Sequence, residues 1–83
     1  MILSPNPAYD KATLIIHSYT AAEAGINVFD TSGKLVHRQT NMIQNGANDI
    51  DLPFVKRAGS GMYFIQVSLN GESIVEKLVI NKQ

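Results

Sequence analysis

Cysteine and tryptophan are both absent from the chain. Without cysteine there can be no disulfide and no thiolate metal site, and redox compartment cannot be read from pairing. Charge of one sign is also lacking: Lys+Arg and Asp+Glu number seven each, for a formal net charge of zero. Phosphate binding needs a basic patch, so this balance argues against nucleic acid as a partner. It argues equally against a polybasic membrane-surface module. No apolar run approaches the ~18 residues of a transmembrane helix. Met1-Ile2-Leu3 is followed at once by Ser4-Pro5-Asn6-Pro7, which lacks the apolar region of a secretory signal. The expectation is a piece cut from a longer chain, with Met1 supplied as a start codon. Helix is scarce too. Thr20-Ala21-Ala22-Glu23 has helix-forming composition but is too short, and reads as a connection between strands.

What remains is strand after strand. The best-signalled stretch is Gly59-Ser60-Gly61-Met62-Tyr63-Phe64-Ile65-Gln66-Val67. A glycine-punctuated corner feeds an alternating strand there, with Tyr63, Ile65, Val67 and Leu69 on one face and Gln66 and Ser68 on the other. Asn70-Gly71 follows, the dipeptide of a type I′ hairpin, whose two central residues both need positive φ. The return strand runs from Ile74 to Ile80.

Upstream, Pro5-Asn6-Pro7 cannot be helix and reads as a rigid turn after a short edge strand at Ile2-Leu3. Ala12 to Tyr19 is a strand with Leu14 and Ile16 toward the core. Ala24, Ile26 and Val28 alternate with Gly25, Asn27 and Phe29. Asp30-Thr31-Ser32-Gly33 closes that strand as a turn, with Gly33 in the left-handed position. Lys34 to Met42 grows more polar along its length, which suits an edge or half-exposed position. Asn45-Gly46 is a further turn, Ile50 and Leu52 share a face of a short strand, and Pro53 to Ser60 is a loop carrying Lys56 and Arg57. About seven short strands with turns roughly every 8–12 residues predict an all-β antiparallel sandwich or small barrel in a single domain, 1–83, and the corner weights it toward an immunoglobulin-like sandwich. Gly61 and Tyr63 add a tyrosine corner, in which the Tyr63 hydroxyl should bond to backbone between Asn48 and Gly59.

Candidate chemistry is thin. Asp30-Thr31-Ser32-Gly33 echoes the Asp-Thr/Ser-Gly of dimeric aspartic proteases, in which two carboxylates share a proton. Ser32 displaces the glycine by one position, and the same residues make an ordinary turn. His17 and His37, with Asp30 or Asp10, could be imagined as metal ligands, but their spacing is not that of a zinc site. No Gly-x-Ser-x-Gly elbow occurs. No catalysis, cofactor or metal is expected. The terminal segment Glu76 to Gln83 is an apolar strand flanked by lysines, and reads either as a gatekept edge or as a place for a partner to read.

The order of these signals resembles the C-terminal sorting domain of the type IX (Por) secretion system. The resemblance rests on Leu3-Ser4-Pro5-Asn6-Pro7-Ala8, Ile26 to Val36, Asn48-Asp49-Ile50-Asp51-Leu52, Ser60 to Val67 and Glu76 to Lys82. It covers essentially the whole chain. The loop Phe54 to Ser60 is longer than the family's tight Leu-x-x-Gly-x-Tyr link. The resemblance implies a C-terminal domain of a larger secreted protein, covalently attached to an N-terminal passenger. Its partners would be the outer-membrane translocon and a sortase-like surface peptidase, and its route would run through the periplasm to the cell surface. The recognition residues would then be Lys77, Leu78, Val79, Ile80, Asn81, Lys82 and Gln83, read through strand addition. The peptidase would cut just upstream of Ser4, where Pro5 and Pro7 hold the segment extended. Exposed edges could also pair between copies as a homodimer. The alternative is a carbohydrate-binding or spacer sandwich. That role needs an aromatic platform, and the chain has only three Tyr and three Phe.

Overall fold

The computed structural model describes residues 1–82. Seven strands run in order: β1 (Ile2–Ser4), β2 (Thr13–Ser18), β3 (Ala22–Phe29), β4 (Leu35–Ile43), β5 (Gly46–Asp51), β6 (Gly61–Leu69) and β7 (Glu72–Ile80). They form two sheets, β1-β2-β5 and β4-β3-β6-β7, in which every strand pair is antiparallel. The all-β sandwich expected from the alternation is what forms.

The alternation works because successive side chains of a strand leave opposite faces. Leu14 and Ile16 of β2 and Ile50 of β5 face Ala24, Ile26 and Val28 of β3 and Ile65 and Val67 of β6, all of them buried. Cross-strand register keeps these in rows: Ile26 opposes Val67 and Val28 opposes Ile65. β4 is an outer strand of its sheet, as its polarity suggested. Its inward positions carry His37, Gln39 and Asn41, linked side chain to side chain at 2.8 Å each. Gln39 also donates to the carbonyl of Asp51 at 3.2 Å, so a polar ladder closes this seam between the sheets. Inward polar groups on an edge strand leave its backbone a poor template for aggregation.

One segment differs from expectation. Pro53–Lys56 is a 3₁₀ turn, not an open loop, and it buries Phe54 and Val55. Proline suits the first position of such a turn because its φ is preset and its missing N–H needs no partner. Phe54 stacks on His37 at 5.6 Å and meets Tyr63 edge-on at 5.7 Å, plugging one end of the sandwich. Asn45-Gly46, expected as a turn, joins β4 to β5, which lie in different sheets, and so carries the chain across the sandwich. Asn48 holds that crossing. Its side chain accepts from the Gln44 amide at 2.9 Å and donates to the Gln44 and Gly46 carbonyls at 2.9 and 3.1 Å.

The Asn70-Gly71 hairpin forms as read, with φ of 52° at Asn70 and 80° at Gly71. It sets β6 against β7 from Leu69↔Glu72 to Gly61↔Ile80.

Candidate functional site

That register decides which residues of β7 point where. Leu78 opposes Tyr63 and Ile80 opposes Gly61 on the inner face, and both are fully or almost fully buried, at 0% and 1%. Lys77 and Val79 take the outer face, Lys77 exposed and Val79 half-buried. Asn81 is exposed and Lys82 half-buried. The expected set of seven therefore divides. Leu78 and Ile80 are core side chains that no partner can touch while the domain is folded. Lys77, Val79, Asn81 and Lys82 are accessible, and Gln83 lies outside the described residues.

β7 ends its sheet, but much of its outer edge is covered. The segment Pro5–Pro7, expected as a rigid turn, bends back along the strand. Asn6 lays its side-chain amide against β7 as a second peptide group would: Nδ2 donates to the Lys77 carbonyl at 2.8 Å and Oδ1 accepts from the Val79 amide at 3.0 Å. Ala8 then continues with true backbone pairing. Its N–H donates to the Val79 carbonyl and its carbonyl accepts from Asn81, both at 2.8 Å. Ala8 itself is fully buried. The backbone expected to lie open on this edge is largely covered here: the Lys77 carbonyl, both groups of Val79 and the Asn81 amide have partners in Asn6 and Ala8. An asparagine seventy-odd positions away is invisible to local reading, because only the closed fold brings residue 6 to residue 77.

The other side of the tail is fastened as well. Lys82 donates its amide proton to Ser60 Oγ at 2.9 Å, and its Nζ donates to the Lys56 carbonyl at 3.0 Å. Ser60 belongs to the glycine corner, whose expected device is present: Tyr63 Oη donates to the Gly59 carbonyl at 2.9 Å. Corner and tail thus form one block. Leu3-Ser4, expected as an accessible cleavage segment, is strand β1, with Leu3 paired to Leu14 and Ser4 to Thr13.

The catalytic echoes resolve as structure. Asp30 Oδ1 accepts from Ser32 Oγ at 2.6 Å, from the Ser32 amide at 2.9 Å and from the Lys34 amide at 3.0 Å. These bonds, the Ser32 hydroxyl foremost, hold its carboxyl below the ordinary aspartate range. Gly33, at φ 85°, completes the turn. His17 and His37 sit in different sheets, and His37 is occupied with Phe54 and Gln39. Among the described residues no group of three or more His, Asp or Glu side chains is placed to hold a metal ion.

Comparison with known proteins bears on the domain as a whole. The family model described as "Secretion system C-terminal sorting domain" matches residues 3–81. The chain belongs to that family. This sorting domain also superposes on a solved structure, dimeric latent PorU from Porphyromonas gingivalis, with a TM-score of 0.80 at 21% identity. The match covers 99% of this chain and 9% of that one, so the sorting domain spans a small fraction of its structural relative. At this identity the likeness speaks for the fold. No curated protein sequence matches. Membership makes the domain an address for a secretion system, a role that requires no catalytic constellation.

Proposed function

We propose that this sorting domain is the C-terminal part of a larger secreted protein and directs its attached passenger through the type IX outer-membrane translocon to the cell surface. A sortase-like surface peptidase then acts on the passenger junction. The tail Lys77–Gln83 carries the address, with Lys77, Val79, Asn81 and Lys82 as its readable side chains. Leu78 and Ile80 serve it from below, since they seat the strand in the core. The observation that carries this reading is the coincidence of two facts. The family match spans residues 3–81, and the fold fastens the segment Lys77–Lys82 from both sides at Asn6 and Ser60.

The test fuses the chain behind a reporter carrying its own signal peptide in a type IX-competent strain. Removing Asn81 to Gln83, or converting Lys77 to Glu, is expected to leave reporter in the periplasm. Undiminished surface delivery by both variants would defeat the proposal.

A further inference from the structure

The outer edge of β7 is paired along only part of its length. Outward-pointing backbone alternates along an antiparallel strand. The Lys77 carbonyl, both groups of Val79 and the Asn81 amide point outward to the strap, Asn6–Ala8. By the same alternation the backbone groups of Ser73 and Val75 point outward, and among the described residues β7 has no neighbouring strand on that side. The edge is thus a continuous row of strand-pairing groups, open at its first half and capped at its second.

The cap is made of unusual material. Two of its four bonds come from one asparagine side chain and not from a strand backbone. A side chain imitating a peptide group can be exchanged for a real peptide group with no loss of hydrogen bonds. It also sits in a segment that contains two prolines and so cannot extend the pairing by itself.

Resting on the sorting reading above, we propose that the strap is a placeholder on a strand-addition site. The edge of β7 from Ser73 to Asn81 receives an extended segment of the export machinery, which lifts Asn6–Ala8 as it pairs. The chemistry of the occupant follows from what it replaces. It is an unbranched extended main chain without proline at the pairing positions, and it places a small apolar residue where Ala8 is buried beside Ile80. Nucleation begins on the open groups of Ser73 and Val75, and displacement proceeds toward Asn81. In the unengaged domain the strap keeps this edge from pairing with other copies.

The experiment compares wild type with Asn6→Ala, both as the purified chain and as the reporter fusion. Hydrogen exchange on the purified chain should show the Val79 amide exchanging about tenfold faster in the variant, from the loss of its acceptor. Leu78 and Ile80, whose amides face β6, should keep their protection. In cells the variant should deliver reporter to the surface faster than wild type, because the cover is already loosened. Delivery that is unchanged or slower, with Leu78 and Ile80 still protected, overturns the proposal. If Asn6→Ala exposes those core amides, Asn6→Asp takes its place. It keeps the acceptor for Val79 and loses only the donor to Lys77, and the same two delivery outcomes decide. A reporter that reaches the surface without Asn81 to Gln83 defeats the sorting reading and this inference together. Dependence on the tail with no acceleration by either Asn6 variant defeats this inference alone.

Discussion

Tyr63 and Asp30 illustrate how single side chains hold this fold at its bends. The Tyr63 hydroxyl bridges four positions back to Gly59, and its ring packs edge-on against Phe54. Tyr63→Phe keeps the ring and deletes the bond, so urea unfolding should report a loss of about 1 kcal/mol. An unchanged midpoint would mean the corner is held by ring packing alone. Asp30 accepts three hydrogen bonds that exist in full only while its carboxyl is ionised. Its folded titration therefore lies below the ordinary value. The contribution is present above the unfolded titration point and is lost as pH falls through the folded one. Carboxyl NMR should place the Asp30 midpoint below that of a free aspartate. The amide shifts of Ser32 and Lys34 should move with the same midpoint. Both residues were legible in the sequence, because a corner tyrosine and an Asp-x-Ser-Gly turn act over four residues or fewer.

Elements in this chain owe their placement to turns more than to strand propensity. Asn70 and Gly71 both adopt positive φ, and a Cβ added at Gly71 would meet nothing within 4 Å. Gly71→Ala should therefore cost only its backbone conformation, about 1 kcal/mol, with no packing penalty. A much larger loss would show that the turn has neighbours beyond those seen. The 3₁₀ turn Pro53–Lys56 behaves differently, since its value lies in Phe54 at 3% exposure. Phe54→Ala should cost about 3–5 kcal/mol in chemical denaturation, in line with other buried aromatics. Alternation announced the strands, but a single turn of 3₁₀ helix has too few residues to show a period. Its two apolar positions looked like any loop between Leu52 and the corner.

At the scale of the whole molecule, the two ends of the chain are one structure. The strap near residue 6 and the tail near residue 80 share four hydrogen bonds, and Ser60 pins the tail from the corner. This separates variants that damage folding from variants that damage the address. Leu78→Ala should cost about 2–5 kcal/mol by opening a cavity in the core, and should lower export only in proportion to the fraction unfolded. Lys77→Glu leaves every backbone bond of β7 in place. It should leave the unfolding midpoint within about 0.5 kcal/mol of wild type while export falls. If the two variants lose export and stability in the same ratio, the tail has no role beyond holding the fold.

The chain by itself determined its class, most of its inward faces, its hairpin and its corner. Those follow from period-two burial and from turn residues whose conformational demands are local. Tertiary structure alone decided three other matters. It sent β4 and β5 into different sheets across Asn45-Gly46, because hydrogen-bond partners are chosen among strands and not along the chain. It turned Leu78 and Ile80 inward, leaving half of the apolar tail unreadable from outside. And it laid Asn6 on Lys77 and Val79. That contact spans nearly the full sequence, and neither end carries a local signal of it. It arises only when both sheets have closed and the edge of the last strand needs covering.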